Sequence, residues 1–273
     1  MVSASQGVAS VLAPLNGKDY LSSEDASAEQ TAALLELARQ LKSGDRRIDL
    51  GNRVLGLIFT KASTRTRVSF QVAMARLGGQ TVDLNPQVTQ LGRGEPLEDT
   101  ARVLSRFCDA LAIRTFAQQE LVDYAHWASI PVINALTDLE HPCQALADFL
   151  TMQEAFGDLQ GQTLAYVGDG NNVAHSLMIC GALLGVNVRI GCPEGFEPLP
   201  GVLDQARALA VGGAEISVTS DPVAAVKGAQ ALYTDVWASM GQEQEQAERE
   251  QAFQGFCLNG DLLAEADSRA IVL

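Results

Sequence analysis

No C-x-x-C pair occurs in the 273 residues, and the five cysteines (Cys108, Cys143, Cys180, Cys192 and Cys257) fall at irregular intervals. An odd number at such spacing fits neither a disulfide frame nor a zinc site, and suits a chain kept in a reducing cytoplasm. Positive charge is also scarce: 19 Lys+Arg stand against 33 Asp+Glu, a formal net charge of −14. That balance argues against a general nucleic-acid partner, which would need a basic face. The first basic residue is Lys18, so the charged start of a signal peptide is missing, and the opening stretch is too poor in Arg for a transit peptide. No run of 18 apolar residues exists, and the apolar region 179–188 is broken by Gly181 and Gly185, so nothing reads as a membrane span. Low-complexity segments and short-period repeats are absent too. There are only three histidines. Set against these shortages, 47% of the residues are hydrophobic, enough to bury a substantial core in one large or two ordinary domains.

The apolar residues come in short runs separated by helical patterns. Residues 1–26 are small and polar, and read as a loose start. Ser27 with Gln30 forms a capping-box pattern, and Leu34, Leu35, Ala38 and Leu41 make a helical stripe that stops at Gly44. Strands are expected at 54–60, 80–84, 110–114 and 132–136, with helices around 64–77, 97–108 and 118–128. A second series of strands is expected at 164–167, 188–190, 215–218, 232–236 and 270–273, again with helices between. Residues 142–156 read as a helix, with Pro142 in its first turn and Gly157 as its stop. Strand–helix alternation implies parallel sheets covered on both faces. Four to five strands per series predict an α/β protein of two doubly wound domains, each with a parallel sheet flanked by helices, joined by a bridging helix. The expected halves are 1–150 and 151–273.

The densest chemistry is Thr60-Lys61-Ala62-Ser63-Thr64-Arg65-Thr66-Arg67, between a strand and a helix start. Helix N-termini offer free N–H groups and a positive dipole end to an anion, and Arg meets phosphate with a two-pronged, charge-assisted fork. Ser and Thr also cap helices that bind nothing, and Arg often lies on a solvated face. The number of donors on one turn favours a phosphate. His141-Pro142-Cys143-Gln144 follows a strand and opens a helix, at the sheet edge where α/β ligands bind. His141 there can donate a hydrogen bond to a carbonyl oxygen. His126 and His175 read as structural. Arg114 closes an apolar strand, where either a bound anion or a sheet-edge salt bridge would be expected to meet it.

Val167-Gly168-Asp169-Gly170-Asn171-Asn172-Val173 tempts a dinucleotide reading, but Val173 stands where the third glycine belongs and no acidic residue follows at the right distance. Asn171 and Asn172 are expected to cap the helix or to hold a small polar ligand. Asp235-Val236-Trp237-Ala238-Ser239-Met240-Gly241 suits an amino group or, more plainly, an Asx-capped turn. The very polar run 242–254 is expected to be a mobile or solvent-facing helix.

Six motifs in order resemble the aspartate/ornithine carbamoyltransferase family: Phe59-x-Lys61-x-Ser63-Thr64-Arg65-Thr66-Arg67, Gln90-Leu91-Gly92-Arg93-Gly94-Glu95, Asp99-Thr100-Ala101-Arg102-Val103-Leu104, His141-Pro142-Cys143-Gln144, Gly168-Asp169-Gly170-Asn171-Asn172 and Asp235-x-x-x-Ser239-Met240-Gly241. The resemblance runs from about residue 10 to the end of the chain. It implies that Ser63, Thr64, Arg65 and Thr66 hold the phosphate of carbamoyl phosphate. Arg114, His141 and Gln144 would hold the carbamoyl end, with Arg65, Arg114 and His141 as the catalytic set. Gln90 would reach into a neighbouring subunit's site, so a homotrimer or a multiple of trimers is implied. Asn172, Asp235, Ser239 and Met240 would hold the α-amino and α-carboxylate groups of ornithine. No metal or organic cofactor is implied.

Aspartate as acceptor would call for further guanidinium groups, whereas Asp235 repels a second carboxylate and attracts an ammonium. Acetylornithine is the nearer alternative, and putrescine lacks the α-carboxylate for the Ser239-Met240-Gly241 loop. Family members continue beyond Ile271-Val272-Leu273 into a His-Cys-Leu-Pro motif and a last helix. The sequence as given is therefore expected to lack that part. A homologue that binds carbamoyl phosphate without turnover is the non-enzymatic alternative.

Overall fold

The computed structural model describes residues 6–85, 89–237 and 246–273, and its chain divides into two units, Met1–Cys143 and Gln144–Leu273. In the first unit, β1 (Val54–Phe59), β2 (Gln80–Leu84), β3 (Ala110–Arg114) and β4 (Val132–Leu136) pair in parallel, in the order β2-β1-β3-β4. Side chains alternate across a strand. Leu55, Leu57 and Phe59 therefore share one face with Ala112 and Ala135, while Ile58 joins Leu111, Ile113 and Val132 on the other. Phe70 and Met74 of α3 (Arg65–Arg76) cover the first face. Ala101 of α4 (Leu97–Leu104) and Leu121 and Tyr124 of α5 (Gln118–Trp127) cover the second. Burial on both faces is why these strands read as nearly unbroken apolar runs.

The second unit repeats the scheme. The strands β5 (Thr163–Val167), β6 (Asn187–Gly191), β7 (Ile216–Thr219), β8 (Ala231–Tyr233) and β9 (Ile271–Val272) form a parallel sheet ordered β7-β6-β5-β8-β9. The helix α6 (Pro142–Phe156) spans the boundary between the units. It is followed by α7 (Asn172–Leu184), α8 (Pro200–Leu209), α9 (Pro222–Val226), α10 (Gln246–Ala252) and α11 (Gly260–Glu265). The apolar α7 is buried from Val173 to Leu183. The fold is α/β with two doubly wound parallel sheets flanked by helices, as the alternating pattern predicted. None of the described helices is long and apolar enough to cross a membrane.

Four local expectations are corrected. The polar start is not loose within its described part: helix α1 (Gln6–Leu12) is followed by 3-10 turns at Ala13–Leu15 and Ser23–Asp25. This segment is tied down by buried polar groups, since the Glu140 carboxylate accepts from the hydroxyls of Ser22 and Ser23 and Asn134 Nδ2 donates to the Leu21 carbonyl at 2.8 Å. The capping box at Ser27 and Gln30 does open α2 (Ala28–Ser43), which ends on Gly44 in the left-handed region, φ 81°. Helix α4 stops at Leu104, so that Cys108 can turn inward onto Leu111 and its neighbours. Strand β8 ends at Tyr233, which puts Asp235 in the following loop. Finally, α10 is not solvent-facing throughout, because Arg249 and the following Phe253 are buried.

Candidate active site

In an open parallel sheet, ligands bind outside the carboxyl ends of strands where the strand order reverses. In the first unit that point lies between β1 and β3, because β2 lies on one side of β1 and β4 on the far side of β3. The phosphate-like turn leaves β1 there and Arg114 ends β3 there, paired in register with Phe59. Thr60 locks the two ends together, its N–H and hydroxyl both donating to the Arg114 carbonyl at 2.9 and 3.1 Å.

The turn itself is open. Thr64 and Arg65 are exposed, and Ser63, Thr66 and Arg67 are half-buried. Ser63 Oγ accepts from the Thr66 N–H at 3.3 Å, so one of the helix-start donors is already engaged. The Thr64 side chain caps nothing. Arg67 pairs with Asp83 and stacks over the Phe59 ring, its guanidinium carbon 4.9 Å from the ring centre. Arg67 is therefore committed to the protein, whereas Arg65 is free to meet an anion.

Arg114 is the more constrained cation. Its Nε is buried with no hydrogen-bond partner among the described residues, and burial lowers its pKa. Arg114 as a whole is half-buried, but a buried N–H left unsatisfied is costly unless something accepts from it. His141 is 8% exposed. Burial, with the Arg114 charge added, pushes its pKa down to about 3, so the imidazole is neutral at physiological pH. Lys61 lies over the Phe116 ring at 4.6 Å, and its ammonium is held below its ordinary range by burial and by Arg114. The sheet thus brings Lys61, Arg114 and neutral His141 toward one edge. Gln90 is exposed in the 3-10 turn Gln90–Arg93.

In the second unit the order reverses between β5 and β8. The Gly168–Asn172 stretch of motif leaves β5 there, and the loop carrying Asp235 leaves β8. The Thr234 hydroxyl donates to the Val167 carbonyl at 2.9 Å, joining the two strand ends. Asn171 is the cap of α7, its Oδ1 accepting from the N–H groups of Val173 and Ala174, while its buried Nδ2 has no partner among the described residues. Asn172 is the first helical residue and is half-buried. Gly170 is required by packing: a Cβ there would come within 2.2 Å of Pro198 N. That glycine serves the protein backbone, consistent with the failed dinucleotide pattern. Ser239 and Met240 lie outside the described residues.

Three groups escaped the sequence reading. Arg249 of α10 is buried, its guanidinium donating to Asp169 Oδ2 at 2.8 Å and to the Trp237 carbonyl at 2.9 Å. It anchors the chain beyond Asp235 to the end of β5. Asp148, one turn after Gln144, accepts from Gln144 Nε2 at 2.9 Å. Tyr233 stacks on Tyr166 with ring centres 5.7 Å apart, and Tyr166 in turn donates to Asn171 Oδ1. A polar i, i+4 pair, Gln144 and Asp148, in the apolar first half of α6 was the one signal available for Asp148. Nothing in the sequence pattern pointed to Arg249. His175 is structural as expected, accepting from the Leu199 N–H at 3.1 Å.

Family models match both units. Residues 18–154 match the carbamoyl-P binding domain of aspartate/ornithine carbamoyltransferases, and residues 160–273 match the Asp/Orn binding domain. An ornithine carbamoyltransferase of Prochlorococcus marinus strain MIT 9313 is 84% identical over 268 residues, covering 98% of this chain and 84% of the relative. The enzyme of that name from Parasynechococcus marenigrum is 81% identical over 273 residues, covering all of this chain and 86% of the relative. Among solved structures, ornithine carbamoyltransferase from Gloeobacter violaceus superposes with a TM-score of 0.85 at 53% identity, covering 93% of this chain and 83% of that one. The Pyrococcus furiosus enzyme superposes at 0.89 and 47% identity, covering 94% and 84%.

Proposed function

The chain belongs to the aspartate/ornithine carbamoyltransferase family, and from that premise we propose that it transfers the carbamoyl group of carbamoyl phosphate to the side-chain amine of L-ornithine, giving L-citrulline and phosphate. The observation that carries the chemistry is Arg114, half-buried at the β1/β3 switch point, with a buried Nε that finds no partner among the described residues, next to a neutral His141. The neutral amine attacks the carbamoyl carbon. The C–N bond forms, charge gathers on the carbonyl oxygen, the C–O bond to phosphate breaks and the amine gives up a proton. Arg114 and the His141 N–H stabilise the developing oxyanion. Because His141 is uncharged, it donates a hydrogen bond without competing for the phosphate's charge. Ser63, Thr64, Arg65 and Thr66 receive the phosphate, and Gln144 receives the carbamoyl amide.

Residues 1–150 form the carbamoyl-phosphate domain on this reading, and 151–273 the ornithine domain, where Asn172, Asp235, Ser239 and Met240 hold the amino acid. The gathering of acidic groups about the β5/β8 ends, with Asp148 and Asp169 each within electrostatic reach of Asp235, supports a cationic acceptor over aspartate. The setting is arginine biosynthesis in the cytoplasm. The working form is a trimer or a multiple of trimers in which Gln90 completes a neighbour's site. Product analysis tests the acceptor: the purified protein given carbamoyl phosphate should convert ornithine to citrulline with matching phosphate release and leave aspartate unchanged. Carbamoyl-aspartate formed at a comparable rate would overturn the assignment.

A further inference from the structure

Gln144 is an amide, and an amide at a binding site has two ends of opposite character. Its Nε2 donates and its Oε1 accepts. The carbamoyl group carries an NH2, which donates. Only the Oε1 end of Gln144 can receive it; the reversed amide would set donor against donor. Something must therefore fix which way the amide is turned.

Asp148 is in place to do so. It is 6% exposed, four residues after Gln144 on α6, so the two side chains lie on one helix face. Gln144 Nε2 donates to Asp148 Oδ1 at 2.9 Å, so Oε1 is the end of the amide not engaged by Asp148. The other carboxyl oxygen, Oδ2, is buried. It finds no hydrogen-bond partner among the described residues, although the Tyr233 hydroxyl interacts with the carboxyl group. Asp235, beyond β8, is the second acidic group facing it. An aspartate in a dry site with one oxygen unpaired is an expensive choice if its task were only to fill space.

We propose that Asp148 is a positioning residue for the carbamoyl end of the substrate: its Oδ1 holds the Gln144 amide in the one orientation that presents Oε1 to the carbamoyl NH2. The inference rests on the reading of Gln144 as a carbamoyl contact. Burial raises the Asp148 pKa to about 7.

The test is a double-mutant cycle read by the calorimetric affinity for carbamoyl phosphate and by steady-state kinetics. Asp148→Leu keeps the volume and removes the acceptor. It should weaken carbamoyl phosphate by about 10- to 100-fold while leaving the ornithine KM within about threefold. Asp148→Asn keeps an acceptor oxygen and should stay within about threefold of the parent. In a Gln144→Ala background, Asp148→Leu should cost less than about twofold, because its only route to the substrate is gone. Equal losses in both backgrounds, or a loss confined to ornithine, would overturn the proposal. If the parent protein binds carbamoyl phosphate with this coupling but makes no citrulline, the acceptor assignment fails and the role of Asp148 stands. If it binds no carbamoyl phosphate, both fall.

Discussion

At the scale of single residues, this protein keeps two buried titratable groups whose pKa values are displaced in opposite senses. Asp148 has its ordinary value of 3.8 in the unfolded chain and about 7 when folded. Between those values the folded chain holds a proton that the unfolded chain has released, so stability falls as pH rises through that window. By pH 8 the whole penalty is present, about 4 kcal/mol for three pH units. His141 runs the other way, from 6.5 unfolded to about 3 folded, so its contribution is lost as pH falls below 6.5. Asp148→Asn is therefore expected to raise the melting temperature at pH 8, by roughly 5 to 10 °C, and to change it little at pH 4. Thermal melts of parent and variant at both values decide the matter, and an equal shift at the two pH values would contradict it.

At the scale of elements, the strand-to-helix turns are where sequence and structure agree best and also where they part. The capping box on α2, the start of α6 at Pro142 and the four strands of the first unit were all legible, because each depends on neighbours in sequence. The end of α4 and the end of β8 were not, because they are set by what Cys108 and Tyr233 pack against. The turn after β5 shows the difference in one residue. Asn171 was open between capping a helix and holding a ligand; it is the cap, and its Nδ2 is left over. Asn171→Ala removes the cap bonds to Val173 and Ala174 and the Tyr166 contact, and should cost about 1–2 kcal/mol. Denaturant titration can measure this. Asn171→Asp, which keeps the accepting oxygen, should recover most of the loss, and no recovery would argue against capping.

For the whole molecule, the formal charge of −14 is worked around locally. Lys61, Arg65 and Arg114 lie near one sheet edge of the first unit, and Asp148, Asp169 and Asp235 about the corresponding edge of the second. On the outside, α3 buries none of its residues, and Val68 and Val72 are 49% and 42% exposed, with Val82 of the edge strand β2 at 46%. Val68 and Val72, four residues apart, share one face of α3, which is where a partner would cover them. It supports the reading of an oligomer in which Gln90 is shared. Light scattering should give a trimer or a multiple of it, and a Val68→Asp, Val72→Asp variant should fall to monomer and lose carbamoyl phosphate turnover. A stable monomeric parent with full substrate affinity would refute the shared site.

What the sequence determined by itself was everything carried by short range: the period of the strands, the caps, the crowding of hydroxyls and guanidiniums on one turn, and the six ordered motifs. Those sufficed for two doubly wound sheets and for the family. What only the tertiary structure decided was the order of the strands. Nothing local states that β3 lies beside β1 or β8 beside β5, since parallel pairing joins segments some 50 or more residues apart. Yet that order brings Arg114 to the phosphate-like turn and Asp235 to Asp169 at the end of β5. The same holds for Arg249 and Asp169, 80 positions apart and 2.8 Å from each other. A buried ion pair exists only once both partners have been removed from water together, and that is a property of the folded core and not of either segment.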